Sequence, residues 1–307
     1  MKKNLAIIAP CLNEEKNIKN FYDRTLLILK ELNLNYIFYF VDDGSTDKTW
    51  SEIKNLKSKD ENIKAIKFSR NFGHQNALFA GIQKVNADYV LIMDVDLQDP
   101  PELIRDMYQK LITYKLNIVY AQRKKSYESF FKKFTSKFFY KIFNFLSEVK
   151  IPESTSDFRI FDKKILTELK NLNEKNPFYR GLIPWIGFKS GKVLFDRPNR
   201  RDGVTGWSLK KMINFSIDGI LSFSNYPMRL SFYLSILMSL VFIIFSLYAL
   251  SSYLLNKTVP GWTSIFLMVS FFNTIIFFLL GLVSEYVGRI YSEIKNRPNY
   301  IVDEEIN

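Results

Sequence analysis

Reactive sulfur chemistry is almost absent from this 307-residue chain, which contains a single cysteine, Cys11. Because a disulfide needs two cysteines, an intrachain disulfide framework is excluded. Residues 1–11 superficially resemble a lipoprotein signal, with two lysines, an apolar run and a cysteine. The apolar run is only about five residues long, and Pro10 stands where a small residue is expected. We therefore expect no cleaved signal here.

Glycine-rich nucleotide-binding loops are also missing. No GxGxxG follows the first predicted strand, and no Walker-type loop occurs, so dinucleotide-binding and P-loop classes are disfavoured. The net charge of +12 could indicate nucleic acid, but no basic-aromatic module of a known nucleic-acid-binding type is present. We expect no nucleic-acid partner, and the basic surplus instead points to anionic lipid or phosphate.

Charged side chains are absent from two long stretches, residues 230–256 and 258–284. Each exceeds the ~20 residues that cross a bilayer. Buried core helices are the alternative, but charge-free runs of this length are rare in soluble cores. We predict one transmembrane helix at 230–256 and a second at 258–286, followed by a tail at 287–307. Basic residues flank this hairpin on one side: Lys210, Lys211, Arg229, Arg289, Lys295 and Arg297. The positive-inside rule then places both termini in the cytoplasm.

Strands and helices alternate over the first ~120 residues, which predicts a parallel, doubly wound sheet. The predicted strands are 5–9, 36–41, 64–68 and 89–93, and the predicted helices are 13–32, 46–56 and 75–85. We assign residues 1–208 to one cytoplasmic domain. Within it, 129–147 is predicted to be an amphipathic helix, either packed on the core or lying on anionic lipid. A second amphipathic helix is predicted at 209–229, next to the membrane.

Polar clusters follow each of the four predicted strands, at residues 13–15, 42–45, 70–74 and 94–96. Ligands of such sheets bind beyond the carboxyl ends of the strands, so four clusters at one edge predict an active site there. Asp94 and Asp96 lie just past an apolar strand and can aim at one point. Paired carboxylates of this kind suit Mg²⁺ or Mn²⁺ bridging a diphosphate.

The motifs at these positions resemble those of a known family. They read PCLNEE at 10–15, DDGSTD at 42–47, RNFGHQ at 70–75, DVDLQDPPE at 94–102, SDFR at 156–159 and EYVGRIY at 285–291. Together they are similar to the family 2 inverting glycosyltransferases. They are most similar to the polyprenyl-phosphate branch, which includes dolichol-phosphate mannosyltransferases and bactoprenol glucosyltransferases. The resemblance covers nearly the whole chain.

The resemblance implies a GT-A catalytic domain of α/β class, Rossmann-like with a doubly wound, mostly parallel sheet, followed by the two-helix transmembrane hairpin. It also implies an integral protein of the bacterial inner membrane with a cytoplasmic catalytic domain. The cofactor would be Mg²⁺ or Mn²⁺. The donor would be a nucleotide-diphosphate sugar, with UDP-glucose favoured, and the acceptor polyprenyl phosphate, for cell-envelope glycan modification. A homo-oligomer is expected, with a tetramer favoured.

Site residues follow from the same resemblance. The residues implied to be catalytic are Asp94, Asp96, Asp157 and Arg123. The metal would be surrounded by Asp94, Asp96 and Gln98. The nucleotide sugar would contact Pro10, Leu12, Glu14, Asp42, Asp43, Arg70 and Asp94. The acceptor phosphate would contact Arg123, Lys137, Arg200 and Arg201.

Simpler interpretations remain for some of these polar residues. Asn13 and Glu14 could cap the first helix, and Asp47 is expected to favour the start of the following helix. His74, the only histidine, is interpreted as a turn residue with satisfied hydrogen bonds rather than as a catalytic group.

One departure from the family pattern concerns residue 206. The family usually has lysine in the GxS/TKW/Y segment, whereas this chain has Gly206 in GVTGW. A phosphate-contacting lysine could therefore be missing. Open alternatives are the same reaction with GDP-mannose, UDP-GlcNAc or UDP-aminoarabinose, or a non-catalytic membrane scaffold of the same fold. A processive polysaccharide synthase is disfavoured because no QxxRW motif occurs.

Overall fold

The computed structural model describes residues 3–124, 155–172, 174–175, 177–196 and 261–307, with scattered positions between 233 and 255. The strands are β1 Asn4–Cys11, β2 Asn35–Asp42, β3 Ile63–Phe68, β4 Tyr89–Ile92, β5 Ile118–Arg123, β6 Thr155–Asp162, β7 Ser190–Phe195 and β8 Val302–Ile306. The helices are α1 Ile18–Glu31, α2 Thr49–Lys57, α3 His74–Lys84, α4 Leu103–Thr113, α5 Lys163–Asn171, α6 Tyr179–Ile186 and α7 Trp262–Ile294.

The eight strands form one sheet in the order β7-β5-β6-β4-β1-β2-β3-β8. Neighbours β1–β2, β1–β4, β2–β3 and β5–β7 are parallel, whereas the pairs involving β6 or β8 are antiparallel. The prediction of a mostly parallel α/β sheet is therefore confirmed.

Helices cover both faces of the sheet, which is the doubly wound arrangement. Alternation along β1 sends Leu5 and Ile7 into one core and Ala6 and Ile8 into the other, because successive strand side chains point to opposite faces. One core receives apolar residues of α1, α2 and α4, and the other receives those of α3, α5 and α6. Two buried layers hold the carboxyl ends of the parallel strands at one rigid edge.

The register of β6 decides what joins that edge. In the antiparallel β4–β6 pair, Tyr89 lies opposite Asp162 and Ile92 lies opposite Arg159. Asp157 lies two residues before Arg159, beyond the last paired residue of β4. A segment distant in sequence thus delivers its first residues to the edge where β1, β2 and β4 end.

Two predicted helix starts were too early. The first helix begins at Ile18 rather than at residue 13, because Asn13 has a φ of 56° in the left-handed region and cannot continue a right-handed helix. The second begins at Thr49 rather than at residue 46. In both places the side chains make loop contacts that replace helical hydrogen bonds.

One described helix, at Phe271–Ile294 within α7, is long and apolar enough to cross a membrane, and none of it is buried within the structure. The predicted hairpin is therefore not confirmed, because most of the first predicted span at 230–256 lies outside the described residues. The amphipathic segments predicted at 129–147 and 209–229 lie outside them as well.

After α7 the chain returns to the sheet, which the sequence did not predict. β8 pairs with the outer edge of β3, and Ile66 lies opposite Glu305. The Tyr300 ring stacks on Phe68 with centroids 4.8 Å apart. The end of the chain is thus tied to the domain that carries the polar clusters.

Candidate active site

The loops after β1 and β2 are joined by hydrogen bonds in both directions. The Asn13 backbone N–H donates to Ser45 Oγ at 2.9 Å, and the Thr46 backbone N–H donates to Asn13 Oδ1 at 2.9 Å. The Glu14 backbone N–H donates to Thr49 Oγ1 at 2.8 Å. Asn13 therefore braces the β2 loop. Glu14 does so as well and also serves the start of α1, because its carbonyl oxygen accepts the Asn17 N–H at 2.9 Å and the Ile18 N–H at 3.2 Å, although no side chain caps this helix.

Asp47 serves both the α2 start and this brace. Its carboxylate accepts the Thr49 backbone N–H at 2.9 Å, in agreement with the expected role at the start of the helix. It also accepts the Glu15 backbone N–H at 3.2 Å. The DDGSTD motif is thus partly structural.

Asp42 and Asp43 are buried at the end of β2 and are held by backbone groups. Asp43 accepts backbone N–H groups of Phe72 at 2.7 Å and Gly73 at 3.0 Å. Asp42 Oδ1 accepts the Ser45 N–H at 2.8 Å, while its buried Oδ2 has no hydrogen-bond partner. Burial raises the pKa of both carboxyls, although these hydrogen bonds lower it in part. The orphaned Asp42 oxygen is an acceptor suited to a ligand N–H or O–H.

Gly44 allows the β2 and β3 loops to come together. Its φ is +74°, and a Cβ added there would lie 2.4 Å from the Arg70 carbonyl carbon and 2.7 Å from the Asn71 nitrogen. Only glycine combines this backbone conformation with such a close approach. The contact positions the backbone N–H groups that Asp43 accepts.

Asp94 and Asp96 follow β4, as the sequence predicts, and Asp94 contacts the histidine. His74 Nε2 lies 2.9 Å from Asp94 Oδ1. Desolvation of the imidazole lowers the pKa of His74. The charge and the hydrogen bond of the Asp94 carboxylate act in the opposite direction, and the pKa is raised to about 9. Asp96 accepts the Gln98 backbone N–H at 3.1 Å across a left-handed turn at Leu97. The interpretation of His74 as a satisfied turn residue misses its contact with the acidic pair.

Asp157 is enclosed by two arginines. Arg159 Nη2 donates to Asp157 Oδ1 at 2.8 Å, and Arg180 Nη2 donates to Oδ2 at 2.8 Å. Burial would raise the pKa of Asp157, but the two guanidinium groups hold it far below its usual range. The Asp157 carboxylate is thus permanently charged and is a poor proton acceptor near neutral pH.

Arg123 ends β5 at the same edge. Its Nη2 lies 3.7 Å from Asp99 Oδ1, and Asp99 belongs to the DVDLQDPPE motif. The Arg123 side chain is 27% exposed, so part of it remains accessible. The ion pair ties the β5 end to the turn that carries the acidic pair.

The donor set at the β4 end fits a divalent cation that keeps part of its hydration shell. Among the described residues no group of three His, Cys, Asp or Glu side chains could hold a metal. Mg²⁺ is commonly bound by one or two carboxylates together with water and substrate phosphate oxygens. Asp94, whose side chain is 41% exposed, and Asp96 supply two carboxylates, and Gln98 lies in the same turn.

The other sequence-predicted residues are distributed unevenly. Pro10 is buried in β1, Leu12 is 39% exposed beside it, and the Arg70 guanidinium lies 4.1 Å from the Phe72 ring centroid. Lys137, Arg200 and Arg201 lie outside the described residues, as does the departure at Gly206. The structure therefore places the predicted nucleotide-sugar and metal residues at or just after the ends of β1 to β4, but it gives no position for three of the four predicted acceptor-phosphate residues.

Sequence reasoning missed Arg180 and the role of Gln75. Gln75 Oε1 accepts the Tyr179 backbone N–H at 3.1 Å, which holds the start of α6 against the RNFGHQ motif. Arg159 belongs to the SDFR motif, but the family resemblance implies no task for it. The local signal for Arg180 is weak, because a single arginine at a helix start is ordinary surface chemistry in most proteins.

Comparison with known proteins defines the family. The model of glycosyl transferase family 2 matches residues 6–170. The chain is 41% identical to an uncharacterized glycosyltransferase, YkcC, from Bacillus subtilis, with 97% of this chain and 92% of the relative covered. It is 32% identical to a prophage-derived bactoprenol glucosyl transferase of Shigella flexneri, with 97% of both chains covered. The chain belongs to glycosyl transferase family 2 and is a glycosyltransferase.

A solved structure supports the fold. The chain superposes on a glucosyl-3-phosphoglycerate synthase from Mycobacterium tuberculosis, crystallised with Mn²⁺, UDP and phosphoglyceric acid, with a TM-score of 0.50. The identity is 18%, over 72% of this chain and 78% of that chain. This similarity shows a shared GT-A-like architecture.

Proposed function

We propose that the protein is a membrane-bound inverting glycosyltransferase that moves a sugar, most simply glucose from UDP-glucose, to polyprenyl phosphate. The observation that carries the proposal is the placement of two carboxylate pairs, Asp42–Asp43 and Asp94–Asp96, at one sheet edge. The loop after β3 links them, because the Phe72 N–H donates to Asp43 and His74 contacts Asp94. The relative whose name specifies bactoprenol glucosyl transfer supports the acceptor and the sugar.

The β1–β3 loops form the nucleotide side of the proposed site. Asp42 has a buried oxygen aimed at no protein donor, and Asp43 fixes the loop at Gly73. Pro10, Leu12, Glu14 and Arg70 border the same loops. A base or ribose bound there would be oriented by preformed groups, so little binding energy would be lost in ordering the loops.

Asp94, Asp96 and Gln98 would hold the divalent cation at the β4 end. A bound Mg²⁺ or Mn²⁺ would supply neutralisation of the charge that develops on the departing nucleotide diphosphate. The neighbouring His74 keeps Asp94 oriented through their 2.9 Å contact. Exposed carboxylates at a rigid strand end can meet a donor without rearrangement of the core.

The proposed reaction is a single displacement. An oxygen of the acceptor phosphate attacks the anomeric carbon, the bond to the nucleotide diphosphate breaks, and the diphosphate leaves with the bonding electron pair. Because the acceptor is already an anion near neutral pH, no strong base is required, and positioning with charge stabilisation does most of the work. Arg123 is proposed to hold the acceptor phosphate, and attack from the opposite face inverts the anomeric centre.

The apolar surface of α7 supports a membrane location. Ile276, Phe277, Phe278 and Leu280 leave between 51% and 71% of their surface exposed. A helix that is apolar on all sides needs either a protein core or lipid around it. Lipid would also bring the polyprenyl acceptor to the protein, since a long carrier cannot leave the bilayer.

Transfer by purified protein in detergent tests the proposal. The assay contains undecaprenyl phosphate, Mg²⁺ or Mn²⁺, and radiolabelled UDP-glucose, GDP-mannose, UDP-GlcNAc or UDP-aminoarabinose in separate reactions. Labelled lipid made from UDP-glucose and lost on chelation is the expected result. Product from another donor would change the sugar and keep the reaction. Donor binding without product from any of the four would contradict the proposal and favour a non-catalytic scaffold linked to Gly206.

A variant pair sharpens the assignment of the acidic turn. Asp94→Asn is expected to lower turnover by at least about 100-fold, because it removes charge at the leaving-group side. Asp106→Asn changes an exposed aspartate of α4 and serves as the matched control. Turnover of Asp94→Asn within twofold of the control would remove Asp94 from the site.

A further inference from the structure

We propose that residues 293–306, which we call the clamp, hold the sheet edge with the acidic turn at a fixed position relative to the lipid bilayer. The clamp comprises the end of α7, the connection that follows it, and β8. The inference rests on the proposed function and deepens it, because it assigns a positioning role toward a lipid-borne acceptor. A phosphate confined to the bilayer surface is reached only if the active edge is presented to it.

The end of α7 is bound to the segment that leads into α6. The Lys175 backbone N–H donates to Glu293 Oε1 at 3.0 Å. Asn299 Nδ2 donates to the Glu174 carbonyl oxygen at 3.0 Å. These two hydrogen bonds lie on either side of the connection after α7, so they fix where the apolar helix meets the catalytic domain.

The connection then packs behind the loop that follows β3. The Ser69 backbone N–H donates to the Ile301 carbonyl oxygen at 3.0 Å. The Tyr300 ring stacks on Phe68, and Phe68 meets Phe72 edge-on with ring centroids 5.8 Å apart. Because Phe72 belongs to the RNFGHQ motif, the clamp joins the domain directly behind an active-site loop.

β8 is fastened on both faces of the sheet. Lys54 Nζ of α2 lies 2.6 Å from Glu304 Oε2, and Lys84 Nζ of α3 lies 2.8 Å from Glu305 Oε1. Successive strand side chains point to opposite faces, and α2 and α3 pack in the two different cores. Each exposed ion pair contributes little alone. Together with the β3–β8 ladder they define the register, because sliding the strand would break both pairs.

The direction of β8 brings α7 to the active edge of the sheet. β8 runs antiparallel to β3, and Val302 at the start of β8 lies opposite Phe68 at the end of β3. Because β1, β2 and β3 are parallel, the end of β3 belongs to the edge at which β1 and β2 also end. The chain therefore enters the domain from α7 at the edge that carries the acidic turn.

The last turns of α7 are charged, unlike the stretch before them. Glu285, Arg289 and Glu293 recur every four residues after the uncharged residues 258–284. Charged side chains are costly in the hydrocarbon region, so we expect these turns to lie outside it. They then form a rigid helical link between the bilayer and the clamp. A rigid link with a fixed joint raises the effective concentration of the active edge at the bilayer surface.

A flexible insertion at the joint tests the inference. About eight Gly/Ser residues between Asn296 and Arg297 add a coil of about 16 Å and leave the β8 contacts in place. The remaining hydrogen bond of Glu293 is a single one and cannot fix the joint alone. The same insertion between Ile306 and Asn307 is the matched control, because it lengthens the segment without entering the joint. Both full-length variants are placed in lipid nanodiscs.

Transfer is measured to two acceptors in the same nanodisc preparation. Undecaprenyl phosphate must be met at the bilayer surface, whereas geranyl phosphate, a short water-soluble analogue, diffuses to the active site. The joint insertion is expected to lower transfer to undecaprenyl phosphate by about tenfold or more relative to the control, and to leave transfer to geranyl phosphate within about twofold. An equal fall with both acceptors would assign the clamp to domain stability alone and overturn the inference, as would unchanged transfer to both.

A fluorescence measurement follows the position of the domain without relying on transfer. Cys11 is the single cysteine and is buried, so Lys48→Cys, at an exposed position of the β2 loop, gives a selective labelling site. Energy transfer from this label to acceptor-labelled lipid is recorded on single nanodiscs. The distribution of efficiencies should be narrow for the control and broad for the joint insertion. Equal widths would contradict the inference.

Charge reversal supplies the measurement if the joint insertion does not fold. Glu304→Lys with Glu305→Lys places like charges opposite Lys54 and Lys84 and loosens β8. Adding Lys54→Glu and Lys84→Glu restores both pairs and should recover transfer to undecaprenyl phosphate. Equal transfer by the reversed and the restored proteins would overturn the inference.

The two kinds of readout separate this inference from the proposed function. If the control transfers sugar and the joint insertion matches it with both acceptors and in its distribution of efficiencies, the inference fails and the function stands. If the control transfers no sugar to either acceptor but the joint insertion broadens the distribution, the clamp stands and the function fails.

Discussion

The carboxylates after β2 and those at the β4–β6 boundary lie at the same sheet edge but have different partners. Asp42 and Asp43 are held by backbone N–H groups, and burial raises their pKa. Burial by itself would raise the pKa of Asp157, but its two guanidinium partners together hold it below its usual range. The first half thus holds buried carboxylates on backbone N–H groups, and the second half pairs a carboxylate with two guanidinium groups.

This difference suits different parts of a donor and acceptor. Carboxylate oxygens accept N–H and O–H groups, which a base and a ribose provide. Fixed cations are suited to phosphate, whose charge persists throughout the reaction. Substitutions in each half test this difference, and we expect effects of different sizes.

Asp157→Asn is expected to have the largest effect on stability. It removes the carboxylate that is bonded to the buried Arg159, and removal of one partner of a buried ion pair costs about 3–5 kcal/mol. Urea denaturation in mild detergent measures the loss, with Asp23→Asn as the control for an exposed i,i+4 pair. A loss below about 1 kcal/mol would mean that water or another group already compensates Arg159.

The same variant has a defined pH dependence. Because the pKa of Asp157 in the folded protein lies below its unfolded value of 3.8, its contribution to stability is complete above that pH and declines as the pH falls below it. The difference in free energy of unfolding between the wild type and Asp157→Asn should therefore become smaller below about pH 4. A gap that stays constant down to pH 3 would contradict the two-arginine assignment.

Gly44→Ala is expected to have the second largest effect on stability. Gly44 and Gly73 both have positive φ, but only a Cβ at residue 44 collides with backbone atoms, while a Cβ at residue 73 meets nothing within 4 Å. Relative to Gly73→Ala, the collision should add about 1–3 kcal/mol. Thermal unfolding of the two variants side by side tests this, and equal losses would show that the β2 loop can move away.

Asp43→Asn should cost less, about 1–2 kcal/mol. An amide can still accept one of the two backbone N–H groups, and removal of the buried charge offsets part of the lost bonding. The free energy of unfolding in urea at pH 7 is the measurement. A loss as large as that of Asp157→Asn would erase the contrast between the two halves.

The smallest expected effect is a change in the pKa of His74, which is measured by NMR. Since His74 is the only histidine, its imidazole can be titrated by NMR without assignment. We expect a midpoint near pH 9, because the Asp94 carboxylate stabilises the charged ring. In Asp94→Asn the midpoint should fall toward 6.5, whereas Asp106→Asn should leave it unchanged. A midpoint near 6.5 in the wild type would show that His74 does not pair with Asp94.

Much of the fold and of the polar edge of the sheet could be predicted from short stretches of sequence. Short apolar runs alternating with amphipathic helices indicate a parallel sheet, and polar clusters directly after the strands indicate the active edge. The helix starts at residues 13 and 46 were wrong because Asn13 and the DDGSTD segment use their side chains to join two loops. That contact spans distant residues and has no local signature.

The sequence by itself determined the parallel core, the acidic turn at Asp94 and Asp96, and the family, because each depends on spacing within a few residues. Only the tertiary structure decided that β6 runs antiparallel beside β4, that α6 brings Arg180 to Asp157, and that β8 closes the sheet beside β3. These pairings join segments far apart in the chain. Their stability comes from burial and charge satisfaction that exist only after the sheet has formed.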